Sequence, residues 1–164
     1  MSAFASASEG TLVQPQVARE RRYLQPGQLL VAIAPTAITT VLGSCVAVCL
    51  WDPQKRIGGM NHFILPQNAG GTVASLRFGN TAMEQLIAQV RGASGRLPLL
   101  RARVFGGASM FEKQGETLGQ QNAALAIEFL SRRGIDIVQI DVGGNRGRKL
   151  VFHTDEGTAC LTTI

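Results

Sequence analysis

The sequence predicts one α/β domain of mixed, largely antiparallel strands with two main helices. Three observations predict it. Short runs rich in β-formers, separated by Gly and Pro turns, fill the first half of the chain. Two later segments carry apolar residues at helical spacing. The order is β-rich first, then α, β, α, β, β, which suits a single mixed domain. A chain of 164 residues, 45% hydrophobic and 16% charged, has the length and composition for one packed core.

Residues 1–21 read as a flexible extension, Ser/Ala-rich at the start, and 22–164 as the folded domain. After the Pro26–Gly27 turn, strands are expected over 29–34, 38–42 and 46–52. Asp52–Pro53 initiates a turn, and 57–65 returns as a hairpin partner that stops at Pro66. A helix fits 80–91, where Ala82, Leu86, Ile87 and Val90 share one side. A strand at 101–105 runs into Gly106–Gly107, and a second helix fits 119–133. Arg132 and Arg133 suit its C-terminal dipole, and Gly134 its C′ position. A strand over 135–142 and a terminal hairpin, KLVFH with TACLTT, complete the chain.

Several function classes drop out. The N-terminus lacks the basic start and apolar core of a secretory signal, and no run approaches a membrane span. Three irregularly spaced cysteines do not suit a disulfide framework, so a reducing cytoplasm is the expected location. Net charge is +5. It reads as a solvated basic surface or as attraction to an acidic partner, and aromatics are not interleaved with arginines as a nucleic-acid binder requires. There is no P-loop and no GxSxG elbow. Gly143–Gly147 follows a strand but precedes another, so a dinucleotide fingerprint fails. Two histidines and no CxxC pair make metal ligation a poor fit. Cys45 and Cys49, four apart on a strand, stand about 13 Å from each other.

The segment from Thr39 to Pro66 carries the chemistry. Cys45 sits in Gly43–Ser44–Cys45, where a glycine turn meets an apolar strand. His62 lies on the next strand, close to symmetric with Cys45 about the Asp52–Ile57 turn, so hairpin pairing brings the two together. A free thiol is mostly protonated at neutral pH, with a reference pKa of about 8.5. An adjacent imidazole takes that proton, giving a thiolate–imidazolium pair that attacks an amide and then protonates the departing ammonia. A third group must orient the ring. Asp, Asn and Thr all serve, and Thr39 is a candidate. A cysteine in an apolar run is more often plain core, a reading that fits Cys49 and Cys160.

LGSCVAVCLWDP followed by GGMNHFILP closely resembles the CheD family of chemoreceptor glutamine deamidases. RFGNTAMEQLI, VFGGASMF, LGQQN and DVGGNRGRK match further on, so the resemblance covers roughly 22–155. It implies hydrolysis of glutamine amides on the cytoplasmic region of chemotaxis receptors to glutamate and ammonia. It also implies a layered α/β sandwich similar to toxin-type cysteine deamidases, with no cofactor. It assigns Cys45 as nucleophile, His62 as base and Thr39, six before the cysteine, as third member, with Thr40 adjacent. Some family members bind CheC-type phosphatases. A binding module acting on such a partner, or a thiol esterase on receptor glutamyl methyl esters, are the competing readings.

Overall fold

The computed structural model describes residues 16–67, 74–95, 98–109, 111 and 115–164. Nine strands and two helices are described: β1 (Glu20–Tyr23), β2 (Leu29–Ala32), β3 (Thr36–Leu42), β4 (Val46–Asp52), β5 (Ile57–Asn61), α1 (Gly79–Ser94), β6 (Arg101–Gly106), α2 (Leu118–Arg132), β7 (Asp136–Val142), β8 (Arg148–His153) and β9 (Ala159–Thr163). They form a four-stranded sheet ordered β1-β3-β8-β9 and a five-stranded sheet ordered β2-β5-β4-β6-β7. Pairing is antiparallel except for β1 with β3 and β6 with β7, the latter joined through α2.

Burial shows why the layers form. All seven residues of β4 are buried, so this strand is covered on both faces. Val46, Val48 and Leu50 pack in one cluster with Leu86, Ile87 and Val90 of α1 and Ala126 and Leu130 of α2. The alternate residues, Ala47, Cys49 and Trp51, pack in a second cluster with Ile38, Leu42, Leu150 and Phe152 of the other sheet. The period of two on a strand therefore sends successive side chains of β4 into two different cores. The result is three layers: sheet, sheet, helices. The expected α/β sandwich with two helices is what the chain forms.

Local sequence accounts for the helices. α2 starts at a capping box, in which Thr117 Oγ1 accepts from the Gln120 amide at 3.2 Å and Gln120 Oε1 accepts from the Thr117 amide at 2.9 Å. It ends where Gly134 takes a positive φ of 66°. The predicted apolar side of α1 is buried through Ala82, Leu86, Ile87 and Val90.

Two expectations change. β1 is an exposed edge strand of sequence ERRY, with no apolar alternation to announce it. It is held by its backbone beside β3 and by Arg19, whose guanidinium contacts the Asp155 carboxylate at 2.8 and 3.1 Å. The boundary expected between residues 21 and 22 thus runs through β1, and the rest of the expected extension, 1–15, lies outside the described residues. The second hairpin strand also ends earlier than expected, at Asn61 rather than residue 65.

Arg148 ties the two sheets together. From β8 it donates to the Gly106 carbonyl at 3.2 Å, the Gly143 carbonyl at 2.8 Å and Asp141 Oδ1 at 3.1 Å. Charge-assisted bonds of this kind are each worth about 1.5–3 kcal/mol. We expect Arg148→Met to lower unfolding free energy by roughly 1–3 kcal/mol in urea denaturation, since Met keeps the stem but takes the guanidinium donor from the Gly143 carbonyl and the Asp141 carboxylate. A loss below about 0.5 kcal/mol would show that the clamp contributes nothing.

Candidate active site

β4 and β5 pair through Cys49 opposite Met60, and an isolated bridge pairs Val46 with Phe63 in the same register. That register sets His62 across from Ala47. Cys45 lies two residues from Ala47 and packs against the same inter-sheet cluster. Cys45 and His62 are therefore diagonal neighbours on one face, about 7–8 Å apart at the backbone and within reach of an imidazole ring. The register of the hairpin sets the two on the same stretch of it.

The hairpin opens at this point. The Val48 amide donates to the side-chain Oδ1 of Asn61, at 2.9 Å, in place of a main-chain carbonyl. His62 departs toward the segment before β2, its amide donating to the Gln28 carbonyl at 3.1 Å while its carbonyl accepts from Gly27 at 2.8 Å. Past the Val46–Phe63 bridge, the Ile64 and Leu65 amides both turn to the Arg77 carbonyl. The side-chain amide of Asn122, from α2, fills the opening by donating to the Ser44 carbonyl at 3.0 Å and the Ile64 carbonyl at 2.9 Å. Gly106 closes the other side. It has φ +110°, and a Cβ there would collide with the Cys45 carbonyl oxygen, so only glycine allows this approach.

The ring of His62 is held by Thr40, not by Thr39. Thr40 Oγ1 lies 2.7 Å from His62 Nδ1 and 2.8 Å from the Leu24 carbonyl oxygen. A carbonyl only accepts and a hydroxyl has one proton, so that proton goes to Leu24. The hydroxyl must then accept from Nδ1–H, which leaves Nε2 unprotonated. Nε2 is buried and has no partner among the described residues. The expectation that placed Thr39 beside the ring is corrected for a simple reason. On β3 the buried residues are Thr36, Ile38, Thr40 and Leu42, so odd-numbered Thr39 faces away from the other sheet. It lines a separate hollow of about 440 Å³ with Arg21, Lys149 and His153, which neither Cys45 nor His62 touches.

The electrostatics favour neutral groups. Burial lowers the His62 pKa to about 4. Burial also pushes the Cys45 thiol up, opposed by its own backbone N–H. The resting pair is thus thiol and neutral imidazole rather than the thiolate–imidazolium pair that sequence reasoning expected. Cys49 is fully buried, its thiol pushed far up, and its sulfur lies 3.7 Å from Met60 Sδ. Cys160 is exposed, and Cys45 is half-buried. A cleft of about 220 Å³ opens beside Ser44, walled by Ala108, Thr117, Leu118 and the exposed Phe111.

The family model described as CheD chemotactic sensory transduction matches residues 64–163. The chain belongs to the CheD family. A protein of Anaeromyxobacter dehalogenans named "Probable chemoreceptor glutamine deamidase CheD 1" is 50% identical over 148 residues, covering 89% of this chain and 86% of the relative. CheD relatives of Rhodospirillum rubrum and Sulfurimonas denitrificans, also named probable chemoreceptor glutamine deamidases, are 43% and 41% identical. They cover 87% and 88% of this chain and 81% and 95% of their own. The family-model match begins just after His62, but a relative aligned over 89% of the chain must include residues 39–62.

Sequence reasoning missed Thr40 as the partner of the His62 ring and Asn122 as the bridge across the open hairpin. Asn122 stood in the matching block LGQQN and Thr40 just before LGSCVAVCLWDP, but their contacts span 22, 58 and 78 residues and no local spacing reveals them. Among the described residues, no cluster of His, Cys, Asp or Glu could hold a metal ion, and no helix is long and apolar enough to cross a membrane.

The buried imidazole gives a stability signature. With an ordinary pKa of 6.5 in the unfolded chain and about 4 in the folded one, His62 takes up a proton in the unfolded state first as pH falls. Stability is therefore full above about pH 6.5 and falls as pH drops toward about 4, by on the order of 3 kcal/mol from this residue. In urea titrations across that window, His62→Gln should flatten the dependence by that order. An unchanged slope would mean that His62 is not buried as a neutral ring.

Proposed function

We propose that this chain hydrolyses glutamine side-chain amides on the cytoplasmic region of chemotaxis receptors, giving glutamate and ammonia. The observation that carries the chemistry is the oriented ring of His62, with Nδ1–H on Thr40 and a bare Nε2 on the face it shares with half-buried Cys45. The names of the relatives supply the substrate class, and they favour the amide over a methyl ester.

In this reading Nε2 takes the Cys45 proton as sulfur attacks the amide carbon, so the charges form together only when substrate arrives. The tetrahedral intermediate collapses with proton transfer from the imidazolium to nitrogen, the C–N bond breaks, and ammonia leaves. A thioester remains. Water then gives a proton to Nε2 and adds to the thioester carbon. The second intermediate expels the Cys45 sulfur, which regains the proton. One water is consumed, and one glutamate and one ammonia are formed. Thr40 keeps the ring in the Nδ1–H tautomer throughout, and when the ring is protonated Nδ1–H still donates to it. A surface of net charge +5 attracts an acidic receptor helix, more strongly at low salt. The three thiols are free, as the cytoplasm would keep them.

Intact-mass analysis of a receptor cytoplasmic fragment tests this, since each exchange of NH₂ for OH adds about one mass unit. Cys45→Ala should abolish the mass gain, and His62→Ala should reduce its rate by orders of magnitude. Thr40→Val should cost about 10- to 1,000-fold. Thr39→Val, on the far side of β3, should stay within about threefold, the scale of a surface change. A fragment whose mass does not change with the unsubstituted protein defeats the proposal, and a crippled Thr39→Val beside a normal Thr40→Val defeats the assignment of Thr40.

A further inference from the structure

Asn122 is fully buried on α2, and the steps above do not use it. Its Nδ2 donates to the carbonyl of Ser44, just before the nucleophile, and to that of Ile64, two residues after the base. Its Oδ1 is buried with no partner among the described residues. A buried amide left half satisfied costs roughly 1–3 kcal/mol, so packing alone does not explain an asparagine here.

The consequence lies in the peptide that Asn122 grips. The Ser44–Cys45 bond is trans, so its C=O and N–H point in opposite directions. With the Ser44 carbonyl drawn toward α2, the Cys45 N–H points the other way, to the side of its own sulfur, which it reaches electrostatically. The next peptide is pinned as well, because the Cys45 carbonyl accepts from Gly107 N–H at 2.8 Å. A backbone N–H fixed beside the attacking sulfur is the donor that a developing oxyanion needs.

We infer that Asn122 is a positioning residue for the deamidation: by holding the Ser44 carbonyl it aims the Cys45 N–H at the oxygen of the tetrahedral intermediate. The inference rests on Cys45 being the nucleophile and adds the donor that stabilises what the thiolate forms. Without Asn122 the Ser44 carbonyl loses its donor while the Gly43 and Cys45 carbonyls on either side stay bonded, so this one peptide can turn its oxygen toward the position meant for the oxyanion.

Two reactions of the same sulfur separate this role from a structural one. Amide hydrolysis builds an oxyanion, whereas displacement of iodide from iodoacetamide by the Cys45 thiolate does not. In a Cys160→Ser background, which removes the exposed competing thiol, Asn122→Ala should lower kcat for ammonia release about 100- to 1,000-fold, with KM within about threefold. Alkylation of Cys45 by iodoacetamide should stay within about threefold of the parent. Should Asn122→Ala fail to fold, Asn122→Asp keeps the shape and loses the two-donor amide, and it should show the same split. Alkylation falling in step with turnover, or turnover unchanged in the folded variant, overturns the inference. Failure of the underlying reading is seen separately and overturns both: the parent releases no ammonia, or Cys45→Ala retains activity.

Discussion

One hydroxyl proton decides what His62 can do. Thr40 has a single hydrogen to give, and the Leu24 carbonyl, 2.8 Å away, takes it. The ring must therefore donate to Thr40 from Nδ1 and keep Nε2 bare. Leu24 follows β1, and Thr40 belongs to β3, so the proton is fixed only because β1 lies parallel to β3, with the Leu24 amide bonded to the Thr39 carbonyl at 2.8 Å. An edge strand with no apolar pattern of its own thus fixes a tautomer in the site. The layer order completes the arrangement, since Thr40 comes from one sheet and His62 from the end of β5, an interior strand of the other.

The same layering explains why the groups rest uncharged. Between two sheets an imidazolium loses its hydration, which lowers the His62 pKa to about 4, and the Cys45 thiol is shifted up by the same cause. A pair that holds no charge at rest keeps the proton on sulfur until a carbonyl is in place. The open end of the β4–β5 hairpin serves this geometry. Pairing up to Val46–Phe63 fixes the diagonal between Cys45 and His62, and its loss beyond that point leaves the thiol half exposed beside a cleft.

The order and type of most elements were legible because each carries a local signal. β4 has its apolar run and Asp-Pro stop, α1 its spaced Ala82, Leu86, Ile87 and Val90, and α2 its closing Gly134. The register between the strands that carry Cys45 and His62 was legible because one short turn relates them. What stayed hidden depends on which way a side chain faces across a distance. Thr39 and Thr40 are chemically identical neighbours, and only the burial of alternate β3 residues selects Thr40. Nothing within α2 tells that Asn122 reaches two carbonyls far earlier in the chain. β1 was invisible because ERRY is held by main-chain pairing and by Arg19 on Asp155 rather than by burial.

The most direct test of this account is the state of His62 in the resting protein, read from its ring nitrogens by long-range ¹⁵N–¹H correlation on uniformly labelled protein. The account predicts a neutral ring at pH 7, protonated at Nδ1 and bare at Nε2, that stays neutral well below pH 6 and titrates near 4. Proton on Nε2, or an imidazolium at pH 7 without substrate, would contradict it.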